Sequence, residues 1–114
     1  MKAIIEEARL KSIFDLWEKK PQGLGFADTD AVILTLKADG KTITETFYCR
    51  INADGTLATT GADKISLKRQ MMLQAFIKKY ISKEENYNIR ERINEWKGKS
   101  VEIIKCDGED IIEL

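Results

Sequence analysis

Three Asp-Gly pairs, Asp39-Gly40, Asp54-Gly55 and Asp107-Gly108, punctuate this chain. A type I′ turn needs two residues with positive φ, and Asp-Gly supplies them. The pair therefore marks a β-hairpin wherever apolar or β-branched residues alternate on both sides. Two of the three stand in that setting, within residues 31–51 and 101–114. A two-residue turn at Asp39-Gly40 sets Ala38 opposite Lys41, Leu36 opposite Ile43, Leu34 opposite Glu45 and Val32 opposite Phe47. Val32, Leu34, Leu36, Ile43, Phe47, Cys49 and Ile51 then share one face. Thr35, Thr42, Thr44, Thr46, Tyr48 and Arg50 share the other. Glu45 is the misfit on the apolar face, and an open sheet edge is expected there. In the second hairpin, 101–106 and 109–114, Val101, Ile103, Ile112 and Leu114 share a face, and Ile104, Cys106 and Ile111 the other. Apolar residues on both faces predict cover on both sides. Glu102 falls opposite Glu113, an unfavourable like-charge pair.

The remaining segments read as helices. Leu10, Ile13, Phe14 and Trp17 fall at i, i+3, i+4 and i+7, which predicts an amphipathic helix over residues 1–20. Pro21 ends it, because the residue before proline disfavours helical geometry. Residues 56–60 read either as a short third strand or as part of the loop after the first hairpin, and this choice decides between four strands and five. Ser66 is expected to cap a helix over 67–82, with Leu67, Met71, Leu73, Phe76, Ile77, Tyr80 and Ile81 on a wide apolar arc. A second helix over 89–97 opens on Asn88 with Glu91 three residues on, as in a capping box. It carries the core stripe Ile89, Ile93 and Trp96 and closes at Gly98. The expected architecture is one α+β domain over 1–114. An N-terminal helix, 1–20, packs on a body, 31–114, that holds an antiparallel sheet of four or five strands.

The chain has 114 residues, enough for one core without disulfides or a structural metal. Lys+Arg and Asp+Glu both number 19, and this neutral balance argues against a grip on nucleic acid by bulk charge. A local basic patch remains compatible with it. No apolar run is long enough for a bilayer. Glu6 and Glu7 stand where a signal peptide needs apolar residues, so an intracellular chain with no membrane partner is expected. Cys49 and Cys106 have no Cys-x-x-Cys spacing and read as free thiols that pack as small apolar residues. Histidine is absent, which removes the commonest general base and transition-metal ligand.

Motif by motif, catalysis finds little support. Asn52-Ala53-Asp54-Gly55-Thr56-Leu57 resembles the middle of a calcium loop, but Arg50 and Gly61 stand where that loop needs acids. Turn chemistry is the better reading. Gly23 and Gly25 lack the preceding strand and the Lys-Ser/Thr of a phosphate loop. Asp28 and Asp30 lack a third hard ligand. Glu95-Trp96-Lys97 has the acid-x-Lys form of some nucleases, but on a helix those side chains diverge. No enzyme activity and no cofactor are expected. The charge pattern carries more. From Lys64 to Lys83 there is no acid, and Lys64, Lys68, Arg69, Lys78 and Lys79 are all basic. Residues 102–114 are mainly acidic. Segregated charge of this kind either lines a solvated helix face or receives an acidic partner, nucleic acid or protein.

Three strands, a helical region and a terminal hairpin form the order strand-strand-strand-helix-strand-strand. Around Ala38-Asp39-Gly40-Lys41 and Trp96-Lys97-Gly98-Lys99-Ser100-Val101-Glu102, residues 31–114 resemble small OB-fold-like single-stranded nucleic-acid-binding proteins of phages and archaea. The resemblance implies a ligand across the second and third strands, flanked by two hairpin loops. Thr44, Thr46, Tyr48 and Arg50 occupy those strand positions, and Lys41 stands at the first loop. Tyr48 would stack a base and Arg50 would meet a phosphate, which implies single-stranded DNA or RNA as partner. The chain departs from the pattern in its tight loops, its acidic second hairpin (Asp107, Glu109, Asp110) and its single aromatic on that face. A protein-interaction or adaptor domain, working through a charged face or a sheet edge, as a single chain or an oligomer, is the alternative expectation.

Overall fold

The first element is a strand. A computed structural model describes residues 1–16, 29–59 and 64–114, with Leu16 described by its backbone alone. The elements in order are β1 (Lys2–Ser12), α1 (Ile13–Leu16), β2 (Asp30–Ala38), β3 (Lys41–Cys49), α2 (Lys64–Phe76), α3 (Ile89–Arg92), β4 (Ser100–Cys106) and β5 (Glu109–Ile112). A π-helical turn, Ile77–Ile81, prolongs α2, and a 3-10 turn, Ile93–Trp96, prolongs α3. The strands form one antiparallel sheet in the order β3-β2-β1-β4-β5.

The expected N-terminal helix is corrected. Ala3 and Ile5 are fully buried, while Lys2, Ile4 and Glu6 are exposed, a two-residue period along β1. A bulge between Ile5 and Glu7 re-phases the strand, after which Ala8 and Leu10 face inward. The stripe Leu10, Ile13, Phe14 survives only as the single turn of α1, and Phe14 is 60% exposed. Pairing β1 with β2 buries more than one helical stripe does, so tertiary context overrides the local pattern. Trp17, Pro21 and the expected helix end lie outside the described residues.

The first hairpin has the expected register throughout, from Ala38↔Lys41 to Val32↔Phe47. Asp39 (φ 49°) and Gly40 (φ 76°) both take positive φ, as a type I′ turn requires. Val32, Leu34, Leu36 and Cys49 are buried. The second hairpin turns at Asp107-Gly108 and pairs Ile103 with Ile112. The Glu113 N–H donates to Glu102 O at 2.9 Å, so these two acids do face each other. The Met1 ammonium, 2.7 Å from Glu102, offsets the repulsion and holds that carboxyl below the usual glutamate range. Cover on both sides is not found. Val101, Ile103 and Ile112 are buried, whereas on the other face Ile104 and Cys106 are exposed and Ile111 is half-buried; Leu114, expected on the core face, is exposed.

The expected third strand is replaced by two isolated bridges, Ile51↔Leu57 and Thr56↔Asn88, while Thr60 lies outside the described residues. The helix expected to start after Ser66 is already helical at Lys64, so Ser66 is an interior, fully buried residue rather than a cap. Asn88 caps α3 as expected, its side chain accepting from the Glu91 N–H at 3.0 Å. Gly98, at φ +91°, follows the end of the 3-10 turn.

The core fills the inner side of the curved sheet. Phe76 from α2 stands at its centre, with ring centroids 5.2 Å from Phe47, 5.4 Å from Tyr80 and 5.7 Å from Trp96. The fully buried Trp96 donates its indole N–H to Tyr87 Oη at 3.0 Å, which satisfies the one polar atom it carries inward.

Candidate functional site

The outer face of β1, β2 and β3 collects charge that no single segment shows. Register across the three strands sorts it into rows. Lys11, Ala31 and Tyr48 form one row; Arg9, Ile33 and Thr46 the next; Glu7, Thr35 and Thr44 the third. Lys37 and Thr42 follow, joined by a hydrogen bond from Lys37 Nζ to Thr42 Oγ1 at 3.2 Å. Strands stand about 4.8 Å apart, so each row spans about 10 Å. Glu7, Arg9, Lys11, Lys37 and Thr44 are exposed, and Thr46 and Tyr48 are half-buried. Arg9 and Glu7 pair at 3.5 Å, an exposed contact of small energetic weight.

Thr44, Thr46 and Tyr48 therefore share one face, and Arg50 follows at the end of β3, half-buried. Lys41 opens β3 beside the turn and is exposed, on the Ile43 side by alternation. The basic helix does not join them. α2 packs on β3 through Phe76 and Phe47, on the inner side of the sheet. Lys64 and Lys68 are exposed on α2 and Arg69 is half-buried there, while Lys78 and Lys79 are exposed on the π-helical turn. Arg9, Lys11 and Lys37 are the additions to the face. Lys37 was visible in the hairpin pattern. Arg9 and Lys11 were hidden by the helical reading of residues 1–20, and the alternation Ala8-Arg9-Leu10-Lys11 was the signal for them.

Glu45, on the inner side of the edge strand β3, has its carboxyl pushed up by burial and then by the negative charge of Glu109. Glu109 belongs to β5, at the opposite edge of the sheet order.

The other sequence candidates have structural partners. Asp54 Oδ1 accepts from Thr56 Oγ1 at 2.6 Å and from the Thr56 N–H at 3.0 Å, which hold its carboxyl below the usual range. This is the side-chain turn expected of the Asn52–Leu57 segment. Asp30 accepts from Thr29 Oγ1 and from the Ile51 N–H. Glu95 pairs with Arg92 at 3.2 Å, and Trp96 between Glu95 and Lys97 is fully buried. Gly23, Gly25 and Asp28 lie outside the described residues. Among the described residues no three His, Cys, Asp or Glu side chains gather as a metal site, and no helix is long and apolar enough to cross a membrane.

Neither a protein-family model, nor a curated protein, nor a solved structure gives a significant match to the chain.

Proposed function

We propose that this chain is a non-catalytic binding module for single-stranded nucleic acid, working through the outer face of β1-β2-β3. The observation that carries the reading is the alignment of Arg9, Lys11 and Lys37 with Tyr48 and the threonine rows on one sheet face. Cations along a strand path release counterions from phosphates, an aromatic ring stacks a base of any sequence, and hydroxyls complete polar contacts. The basic residues Lys64, Lys68, Arg69, Lys78 and Lys79 act at longer range in this reading, raising the local concentration of a polyanion. An OB-like assignment fits the same picture. A meander of three strands, a helical crossing and a hairpin that returns to the far side of β1 is the element order that supports it, with β3 and β5 as the end strands of the sheet.

Titration of fluorescently labelled single-stranded DNA and RNA tests the proposal. Affinity should fall steeply with salt. Lys11→Ala should lower the log–log salt slope by about 0.7, the value for one phosphate contact on a single strand. Tyr48→Ala should cost about 1–3 kcal/mol, the range for one stacked base. Absence of binding at low salt would sink the reading.

A second reading, an adaptor domain for an acidic protein, has its own observation in the position of β3 as an end strand of the sheet. It predicts binding that survives Tyr48→Ala.

A further inference from the structure

β1 is longer than the strand that borders it. β4 pairs with β1 at Lys2, Ala3 and Ile4. Ile5 completes that side through Lys99 O and the Gly98 N–H, each at 2.8 Å. Beyond the bulge, the Ile13 N–H donates to Thr29 O. Main-chain directions alternate along a strand. Glu7, Arg9 and Lys11 therefore direct their N–H and C=O groups into the β1-β2 ladder. Ala8 and Leu10 direct both of theirs away from it, and Ser12 its N–H, since its C=O is the first acceptor of α1. Among the described residues no strand meets that second edge. It opens instead on a groove. Half-buried Ala8 and Leu10 form the floor, and Ile93 and Asn94 form the far wall, along two adjoining cavities of about 480 and 510 Å³.

We propose that this groove receives an extended peptide of another protein, which adds to β1 as a strand and carries an acidic residue at the Ser12 end. The site adjoins the outer sheet face and shares Arg9 and Lys11 with it, but its backbone edge does not depend on nucleic-acid binding. Outward donors at Ala8, Leu10 and Ser12 and outward acceptors at Ala8 and Leu10 match the backbone of an added strand, and the apolar floor takes every second side chain. Charge sets the polarity. Lys11 and Arg90 line the Ser12 end. Arg9 lines it too, and these three cations outnumber Asp30, so that end is net basic.

Selection of a random-sequence peptide display library on the full chain is the test. Enriched peptides should show apolar residues at alternate positions and a Glu or Asp. Bound peptide should slow amide hydrogen exchange at Ala8, Leu10 and Ser12 and leave Arg9 and Lys11, already in the ladder, unchanged. Leu10→Pro removes one outward donor without touching the β1-β2 ladder and should weaken binding about tenfold. Asn94→Trp fills the groove from an exposed wall position, leaves β1 intact, and should abolish binding. No enrichment, protection at other residues, or equal binding to the Asn94→Trp chain overturns the proposal.

Discussion

Gly55 shows how one residue ties two distant segments. It is buried at φ +94°, and its carbonyl accepts from the Ile89 N–H at 3.0 Å. Asn88 Nδ2 donates to Asp54 O at 2.8 Å, and a Cβ on Gly55 would lie 2.2 Å from Asn88 Oδ1. The same Asn88 oxygen caps α3. Gly55→Ala should therefore displace the cap as well as strain the turn, costing about 2–3 kcal/mol in a denaturant titration. The Asp-Gly signal at this position was legible in the sequence. Its partner was not, because Asn88 is 33 positions away and nothing local announces the contact. Cys106 makes the opposite case. Its type predicts burial, yet the last hairpin leaves it exposed because only one face of that hairpin meets the core.

At the scale of elements, β1 separates the two readings of the N-terminus. A helix over 1–20 puts Phe14 in the core stripe; a strand puts Ile5 there. Ile5 is fully buried and Phe14 is 60% exposed. Ile5→Ala should cost about 2–4 kcal/mol of unfolding free energy and Phe14→Ala less than about 0.5 kcal/mol. Equal costs would restore the helix. The hairpins needed no such arbitration. A two-residue turn and a period-two apolar pattern are both local, and together they leave one register. α2 lies between these cases. Its existence follows from residue type, but its start does not, because Ser66 is a good cap by chemistry and a buried interior residue in fact.

For the whole molecule, the half-buried Glu45 on the inner side of β3 links folding to pH. Burial, and after it the negative charge of Glu109, raises the Glu45 pKa. A folded chain that holds this proton more tightly than the unfolded chain is most favoured below the unfolded glutamate pKa. It loses that contribution as pH rises through the raised folded value. Glu45→Gln should therefore leave stability at pH 3 unchanged and raise it at pH 7, by less than about 1 kcal/mol given the partial exposure. Thermal unfolding at the two pH values reads the difference. Sequence alone determined the two hairpins, their faces, the cap at Asn88 and the absence of histidine chemistry, because each rests on residues a few positions apart. Tertiary structure alone decided that residues 2–12 form a central strand, that Arg9 and Lys11 join Tyr48 on one face, and that, among the described residues, no strand pairs with the second edge of β1 beyond Ile5. Those outcomes depend on which segments pair across long sequence separations, where the energy of burial outweighs local preference.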